Sequence, residues 1–287
     1  MINLNYSGLD EFLKSVLDED IGTGDITTLA CVPGSAVSKG VFIAKEHCVL
    51  SGLDVLRRVF ELLDDSIIVN TFFNDGDLVP KGDIIADISG PSRAILTGER
   101  TALNLLQHMS GIATKTAEAV REINVTKTKI LDTRKTTPGM RVLDKYAVTC
   151  GGGTNHRFNL ADAVLIKDNH IKAAGGIAGA VNHVRDYILK NEATPRSEKF
   201  TIEVETENIA QVEEALSAGA DIIMLDNMTL EEMAEAVKFV NGRALTEASG
   251  NMGERDLKSI AETGVDYISI GALTHSVKAI DISLRFE

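Results

Sequence analysis

The stretch FTIEVETENIAQVEEALSAGADIIMLDN, residues 200–227, holds two short apolar runs on either side of a helical pattern. The runs FTIEVE and DIIMLDN are apolar, contain β-branched residues and end on acidic or amide side chains. Runs of this kind indicate buried strands. Because a strand, a helix and a second strand follow one another, the stretch predicts a βα repeat of a parallel sheet.

The same pattern extends outward from this stretch in both directions. The last four strand candidates begin 21 to 23 residues apart, which is the period of a βα repeat. On periodicity alone, both an open doubly wound sheet and a closed barrel fit. The six candidates are TKILDT (128–133), DAVLIKD (162–168), FTIEVE (200–205), DIIMLDN (221–227), RALTEAS (243–249) and DYISIG (266–271).

Polar residues stand at the carboxyl ends of these strands. In a (β/α) barrel, this rim is where the loops converge to form the active site, so the pattern favours the barrel. We expect one or two further strands and an incomplete barrel. The polar and glycine residues at these ends are Asp132, Arg134, Lys167, Asp168, Glu203, Glu205, Asp226, Glu247, Ser249 and Gly271.

The first third of the chain has a different character. Ser7 and Asp10 precede an apolar face at helical spacing, which predicts a capped amphipathic helix. Residues 36–90 contain short apolar runs broken by Gly, Asp and Pro, with a helix expected near 53–64, and indicate an α+β domain on an antiparallel sheet. Residues 93–121 are expected to be helical, with a break at Gly111.

The charge is distributed unevenly. Residues 129–172 contain eight Lys or Arg and four Asp or Glu, so this segment carries +4 while the rest carries −17 of the net −13. A basic cleft in an acidic protein attracts small anions, whereas the acidic surface would repel nucleic acid. The alternative is a solvated face with ion pairs between neighbouring side chains.

Composition sets the remaining limits. With 287 residues, 44% of them hydrophobic, the chain can bury a full core. The N-terminal residues lack an uninterrupted apolar run, so we expect neither a signal peptide nor a membrane span, and a cytoplasmic location. Three widely spaced cysteines fit neither a disulfide framework nor a zinc ribbon.

Two glycine-containing stretches follow the last two strands, EASGNMGER (247–255) and IGALTHS (270–276). Barrels often bind phosphate at this place, through backbone N–H groups, and Ser249 and His275 could each donate to it. The alternative is a pair of tight turns that need Gly for conformation alone.

Glu203 and Asp226 follow apolar residues and are candidates for binding Mg²⁺ or ribose hydroxyls, or else are core acids tied to Lys. Arg and Lys at the rim suit a carboxylated acid. The loop CGGGTNHR (150–157) brings His156 and Arg157 to the same cleft, although its glycines suit a turn better than a phosphate site. Together these features predict a phosphorylated sugar beside a small carboxylated acid.

The chain resembles the quinolinate phosphoribosyltransferases along essentially its whole length. The motifs occur in the family's order, with departures at Met140, Thr149 and Asn159. They are ERTALNLLQHMSGIAT, ILDTRKTTPGMR, KYAVTCGGGTNHRFNLADAVLIKDNH, IEVE, IIMLDN, EASGN and YISIGALTHS.

The resemblance implies the type II phosphoribosyltransferase fold, an N-terminal α/β (α+β) sandwich followed by an incomplete (β/α) barrel. It places the first domain at 1–110, joined by 277–287, and the barrel at 111–276. It implies a Mg²⁺-dependent enzyme that condenses quinolinate with phosphoribosyl pyrophosphate, giving nicotinate mononucleotide, pyrophosphate and CO₂ in NAD biosynthesis.

The family pattern also implies roles for individual residues. Arg134, Arg157 and Lys167 would hold the carboxylates of quinolinate, with His156 lining the pocket, and Lys135 would contact the phosphoribosyl donor. The implied catalytic group is Arg134, Lys135, Lys167, Glu203 and Asp226.

The donor site is implied in the same way. Glu203 and Asp226 match positions that engage the ribose hydroxyls and the metal. Arg100 would reach the site of a neighbouring subunit, which makes a homodimer the smallest competent unit and leaves a higher oligomer open. The residues that match the phosphate loops are Ser249, Gly250, Gly271 and His275.

Three alternatives to this function remain. A related phosphoribosyltransferase would act on nicotinate or another monocarboxylate. A Schiff-base aldolase would use Lys167 as its nucleophile. A metabolite sensor would bind phosphoribosyl pyrophosphate without consuming it.

Overall fold

The computed structural model describes residues 8–191 and 200–287. Its α-helices are α1 (Leu9–Ile21), α2 (Ile26–Cys31), α3 (Leu53–Leu63), α4 (Ser92–Glu122), α5 (Arg141–Cys150), α6 (Asp168–Ala174), α7 (Ile177–Asn191), α8 (Ile209–Ala218), α9 (Leu230–Val240), α10 (Leu257–Glu262) and α11 (Ala272–His275), and a 3₁₀ turn covers Met252–Glu254. Its strands are β1 (Val37–Ala44), β2 (Cys48–Val49), β3 (Ile68–Thr71), β4 (Leu78–Val79), β5 (Ile84–Pro91), β6 (Lys129–Leu131), β7 (Val164–Ile166), β8 (Ile202–Thr206), β9 (Ile222–Asp226), β10 (Leu245–Ser249), β11 (Tyr267–Ser269) and β12 (Ile282–Phe286).

Contacts divide the chain into two compact units. The first contains residues 1–118, 136–153 and 273–287, and the second contains 119–135 and 154–272. The domain bounds expected from the sequence, 1–110 and 111–276, remain a prediction.

The first unit is built on a four-stranded antiparallel sheet in the order β12-β1-β5-β3, as the sequence predicted for residues 36–90. The C-terminal strand β12 pairs with β1, with Gly40 opposite Phe286. Helix α3 lies where it was expected, and its fully buried Phe60 contacts Phe42 of β1 at a ring-centroid distance of 6.1 Å.

Helix α1 confirms the amphipathic pattern, because Leu9, Leu13 and Leu17 are buried on one face. Its N-cap is Gly8, and the expected cap at Ser7 lies outside the described residues. The Asp10 carboxylate is bonded to the Arg58 guanidinium at 2.6 and 2.8 Å.

The break expected at Gly111 is wrong, because α4 runs unbroken through this residue. A Cβ atom at Gly111 would overlap the backbone carbonyl of Lys278 and lie 2.9 Å from a Val277 methyl. The glycine therefore permits a close approach of another segment and does not end the helix.

The second unit contains all six strands predicted from the sequence, in one parallel sheet ordered β6-β11-β10-β9-β8-β7. The last strand, β11, pairs with the first, β6. This pairing joins the end of the repeat to its beginning, which is the order of a barrel and differs from that of a doubly wound sheet.

Within the described residues, a single bridge residue stands where we expected a further strand. Thr154 forms a parallel bridge with Leu131 on the outer edge of β6. The barrel is therefore incomplete between Thr154 and β7, as the sequence predicted.

Within the described ranges, no helix is both long enough and apolar enough to span a membrane. All three cysteines are free, and Cys48 is buried, as expected for a chain without a disulfide framework.

Candidate active site

The acidic side chains of the central barrel strands β8 and β10 lie on one face of the sheet. In β8, Ile202 and Val204 are buried, while Glu203 and Glu205 point to the opposite face because side chains alternate along a strand. The register aligns Glu205 with Met224 and Met224 with Glu247, so these residues share that face. The helices cover the apolar side, and the acidic residues therefore line the interior of the barrel.

The deepest polar cluster consists of His156, Glu203 and Glu247. The Nε2 atom of His156 lies 3.0 Å from Glu203 Oε2 and 3.6 Å from Glu247 Oε2. The side chains of Glu203 and Glu247 are only 5% and 1% exposed, respectively. Two carboxyl groups therefore face one imidazole away from solvent.

The backbone fixes the tautomer of His156. The Arg157 amide N–H donates to Nδ1 at 2.8 Å, so Nδ1 is the unprotonated nitrogen that accepts this bond and Nε2 carries the proton. The Nε2–H then donates to Glu203. The His156 amide donates in turn to Asp132 Oδ1 at 2.7 Å, which anchors this loop to the end of β6.

Glu247 carries the largest electrostatic perturbation in the cluster. Burial and, to a smaller extent, the neighbouring Glu203 raise its pKa from 4.5 to about 8, while His156 opposes the shift. Glu203 Oε1 and both oxygens of Glu247 meet no hydrogen-bond donor among the described residues. At neutral pH the protonated form of Glu247 is therefore favoured.

A second cluster lies nearer the rim. Lys167 Nζ is 3.5 Å from Glu205 Oε2, and the Glu205 side chain is 13% exposed. Burial raises the pKa of Glu205, Lys167 opposes the shift, and Asp226 adds to it. Asp168 bonds instead to Lys172 at 3.1 Å within α6, which lowers its pKa.

The carboxylate pair expected at Glu203 and Asp226 is not the one that the fold brings together. Glu203 is aligned with Ile222, so along β9 it lies about 13 Å from Asp226. Its carboxylate also bonds to His156. Glu205 is two residues closer to the rim and interacts with Asp226. Glu205 is therefore the glutamate of β8 that lies nearer Asp226, and the role expected for Glu203 remains a prediction.

Two guanidinium groups lie close enough to interact. Burial lowers the pKa of Arg157, the neighbouring Arg134 lowers it further, and Glu203 opposes the shift. Arg157 is half-buried, and its Nη1 donates to the Ala163 carbonyl at 3.1 Å. Like charges in a partly buried place are stabilised by an anion, so this geometry suits a carboxylated ligand. The predicted Lys135 is exposed on the same loop.

The loop after β10 depends on its glycine. Gly250 has φ of +96°. A Cβ atom there would overlap the Asn227 side-chain oxygen and lie 2.8 Å from the Asn227 backbone nitrogen. Ser249 precedes it, and the Ser249 carbonyl accepts from the Asn227 amide at 3.0 Å. The backbone is therefore held in one conformation at the rim. Gly271 lies at the corresponding place after β11.

Arg100 and His275 belong to the first unit, whereas the clusters above belong to the second. Both side chains are exposed, and His275 Nδ1 lies 2.6 Å from the Ser276 hydroxyl. Their assignments remain predictions.

The glycines of residues 150–157 serve both the turn that the sequence favoured, since Gly152 has φ of +82°, and close packing. A Cβ atom at Gly153 would lie 2.7 Å from the Thr116 methyl of α4. Burial raises the pKa of the Cys150 thiol, which argues against a nucleophile.

Glu205, Glu247 and Asp132 are site residues that the sequence analysis placed at the rim without giving them a role. Their spacing contained a usable indication: Glu203 and Glu205 are two residues apart, so they share a face at different depths.

The fold and the site define a barrel enzyme whose polar residues include two interacting guanidinium groups and two acidic clusters. The family models that match describe the quinolinate phosphoribosyl transferase N-terminal domain, over residues 25–110, and its C-terminal domain, over residues 112–285. The chain therefore belongs to the quinolinate phosphoribosyltransferase family.

Individual relatives agree with this. The chain is 43% identical over 281 residues to a probable carboxylating nicotinate-nucleotide pyrophosphorylase of Bacillus subtilis, covering 98% of this chain and 94% of the relative. It is 43% identical over 295 residues to a mitochondrial decarboxylating quinolinate phosphoribosyltransferase of Nicotiana tabacum, covering 97% and 82%. The solved structure of the Francisella tularensis nicotinate-nucleotide pyrophosphorylase superposes with a TM-score of 0.90 at 42% identity, covering 97% of this chain and 96% of that one.

Proposed function

We propose that this chain condenses quinolinate with phosphoribosyl pyrophosphate and decarboxylates the product, giving nicotinate mononucleotide, pyrophosphate and CO₂ in de novo NAD biosynthesis. The observation that carries the proposal is the interaction of the Arg134 and Arg157 guanidinium groups beside the acidic rim. A dianion neutralises both cations, whereas a monocarboxylate would leave one of them unpaired.

Quinolinate is held by its two carboxylates. Arg134 and Arg157 supply planar donors that bind carboxylates bidentately, and Lys167 supplies a third cation from the end of β7. Lys167 also faces Glu205 at 3.5 Å, so the acid keeps the ammonium group in place before substrate binds. His156 lines the same pocket.

Phosphoribosyl pyrophosphate lies along the acidic side of the rim. Lys135 contacts its phosphates, and the carboxylates of Glu205 and Asp226 accept hydrogen bonds from the ribose hydroxyls. The backbone N–H groups near the end of β10 and β11 and the side chains there hold the 5′-phosphate. These residues are Ser249, Gly250, Gly271 and His275.

The donor set fits Mg²⁺ at Glu205 and Asp226. Both groups are carboxylates, the ligands that Mg²⁺ prefers, and Asp226 is only half-buried, which leaves room for the waters that Mg²⁺ retains. Glu203 does not fit as a direct ligand, because it is buried and bonded to His156. When bound, Mg²⁺ supplies charge stabilisation for the departing pyrophosphate.

The reaction needs no covalent enzyme intermediate. The ring nitrogen of quinolinate attacks the anomeric carbon as pyrophosphate leaves, and Lys135 stabilises the leaving anion. The quaternary nitrogen then stabilises the electron pair that remains on the ring carbon when CO₂ departs, and that carbon takes up a proton from water. The protein's main task is to hold two anions together that would otherwise repel one another.

The active unit is a homodimer in this proposal, with Arg100 contributed by the neighbouring subunit, and further assembly is compatible with it. The exposure of Arg100 on its own chain supports such a role. A cytoplasmic location is part of the same proposal.

The test is release of labelled CO₂ from carboxyl-labelled quinolinate, with phosphoribosyl pyrophosphate and Mg²⁺ each omitted in turn. We expect release that requires the donor and the metal, with little nucleotide formed from nicotinate in a parallel assay. Turnover of nicotinate without release from quinolinate would replace this proposal with the monocarboxylate enzyme. Binding of the donor without turnover of either acid would indicate a sensor.

A further inference from the structure

The buried carboxyl group of Glu247 has no task in the binding scheme above. It lies on the interior face of β10, two residues before Ser249, and both of its oxygens lack a hydrogen-bond donor among the described residues. A buried carboxylate in this condition is costly, whereas a carboxylic acid can satisfy itself by donating its proton.

Three polar side chains surround Glu247, and the two that carry donors direct them to other acceptors. The polar side chains that interact with it are Glu203, His156 and Ser269. The strand register adds Met224 from β9 and Tyr267 from β11 beside it. The Ser269 hydroxyl lies 3.4 Å from the Ala248 carbonyl, and the Nε2–H of His156 is directed to Glu203. A ring nitrogen of His156 and one carboxylate oxygen from each of Glu203 and Glu247 lie within 4.8 Å of one another.

We propose that Glu247 is a positioning residue: it remains a carboxylic acid, directs its proton to Glu203, and so holds Glu203 as the acceptor that fixes the Nε2–H tautomer of His156. Glu203 has one oxygen bonded to His156 and the other without a donor. A proton from Glu247 leaves a single negative charge on the pair of glutamates and orients it toward the imidazole.

The consequence for the pocket is a fixed ring. His156 is bonded at both nitrogens, to the Arg157 amide and to Glu203, and neither bond survives a ring flip. If Glu247 ionises, a second buried negative charge lies 3.6 Å from Nε2 and favours a doubly protonated imidazolium, which would lose the bond from the Arg157 amide. Arg157, the next residue, would then lose part of its support.

Two substitutions separate this role from simple packing. Glu247→Gln keeps the shape and a neutral donor, and Glu247→Ala removes both. We expect Glu247→Ala to lower kcat/KM for quinolinate about tenfold or more, the scale seen when an orienting partner is lost. Glu247→Gln should restore most of this activity and remove the decline that wild type shows as pH rises through the ionisation of Glu247. Glu235→Gln, an exposed glutamate on α9, is the matched control for loss of one acid.

The decisive measurement is independent of turnover, because the activity part of this inference rests on the proposed function. In protein labelled with ¹⁵N-histidine, the His156 resonances are identified by their loss in His156→Gln. We expect the Nε2–H tautomer at pH 6.5 in wild type and Glu247→Gln, and a change in the wild-type resonances between pH 7 and 9 that Glu247→Gln abolishes.

Three results would overturn the inference. A folded Glu247→Gln variant as inactive as Glu247→Ala would mean that an ionised carboxylate is needed. Wild-type His156 resonances that do not change from pH 7 to 9 would rule out the coupling, even if neither variant folds. A pH change that Glu247→Gln retains would assign it to another group. Loss of all turnover with the expected resonances would contradict only the proposed function.

Discussion

Arg134 is one of the two guanidinium groups to which the proposed function assigns the carboxylates of quinolinate. Its interaction with Arg157 is repulsive until an anion binds. Replacing Arg134 by Ala removes a charged hydrogen-bonding partner, worth about 1.5–3 kcal/mol, so quinolinate affinity should fall roughly 10- to 150-fold. Isothermal titration of quinolinate measures this directly. Affinity equal to that of wild type would remove Arg134 from the carboxylate site.

Glu203 and Glu205 allow a second test between neighbouring residues. Glu205 interacts with Lys167 and Asp226, whereas Glu203 bonds to His156. Glu205→Gln should therefore raise the Mg²⁺ concentration needed for half-maximal activity, and Glu203→Gln should leave that concentration near the wild-type value while lowering the rate. The opposite pattern in a Mg²⁺ titration would return the metal to Glu203.

The sequence identified the residue types of the site better than their depth. Arg157, Lys167 and His156 lie on the barrel's polar face or in its rim loops, as expected. The sequence could not separate Glu203 from Glu205 because both follow apolar neighbours, and only the register with β9 shows which of them lies nearer Asp226. The environment of Glu247 could not be predicted, since its polar neighbours come from three separate segments.

Among the secondary-structure elements, α4 gives a test in which two effects have opposite signs. Ala in a helix interior is usually favoured over Gly by about 1 kcal/mol. At Gly111, however, the added methyl group would overlap the Lys278 carbonyl, and overpacking of this kind costs roughly 1–3 kcal/mol. Gly111→Ala should therefore lower the melting temperature. Glu118→Ala, at an exposed site in the same helix, is the control and should leave it nearly unchanged.

The elements themselves were largely predictable, and the exception is the break expected at Gly111. The strands β6 to β11 were found because each combines an apolar run with a polar end, and the 21- to 23-residue spacing gives the order of the last four. The Gly111 break was wrong because a glycine looks the same in sequence whether it ends a helix or admits a neighbouring backbone. That distinction needs the position of residues 277 and 278, far away in the chain.

At the scale of the whole molecule, the buried acid makes stability depend on pH. The pKa of Glu247 is raised from 4.5 to about 8, so its contribution favours folding fully below pH 4.5 and is lost as pH rises toward 8. The slope from one such group is at most about 1.4 kcal/mol per pH unit. The melting temperature of Glu247→Gln relative to that of wild type should thus rise between pH 5 and 8. The melting temperature of Glu235→Gln should follow that of wild type over the same range. A gap between Glu247→Gln and wild type that stays constant over this range would contradict the raised pKa.

Assembly of two chains gives the remaining test. If Arg100 acts in the neighbouring subunit, a hybrid of an Arg100→Ala chain with an Arg157→Ala chain has one site with both changes and one intact site. Random exchange makes about half of the dimers hybrids, so mixing two inactive proteins should restore roughly a quarter of wild-type activity. Arg100→Ala mixed with itself is the control. Hybrid dimers verified by native mass spectrometry that stay inactive would show that each site is complete within one chain, because an intact Arg100 would then be needed beside the intact Arg157 of the same subunit.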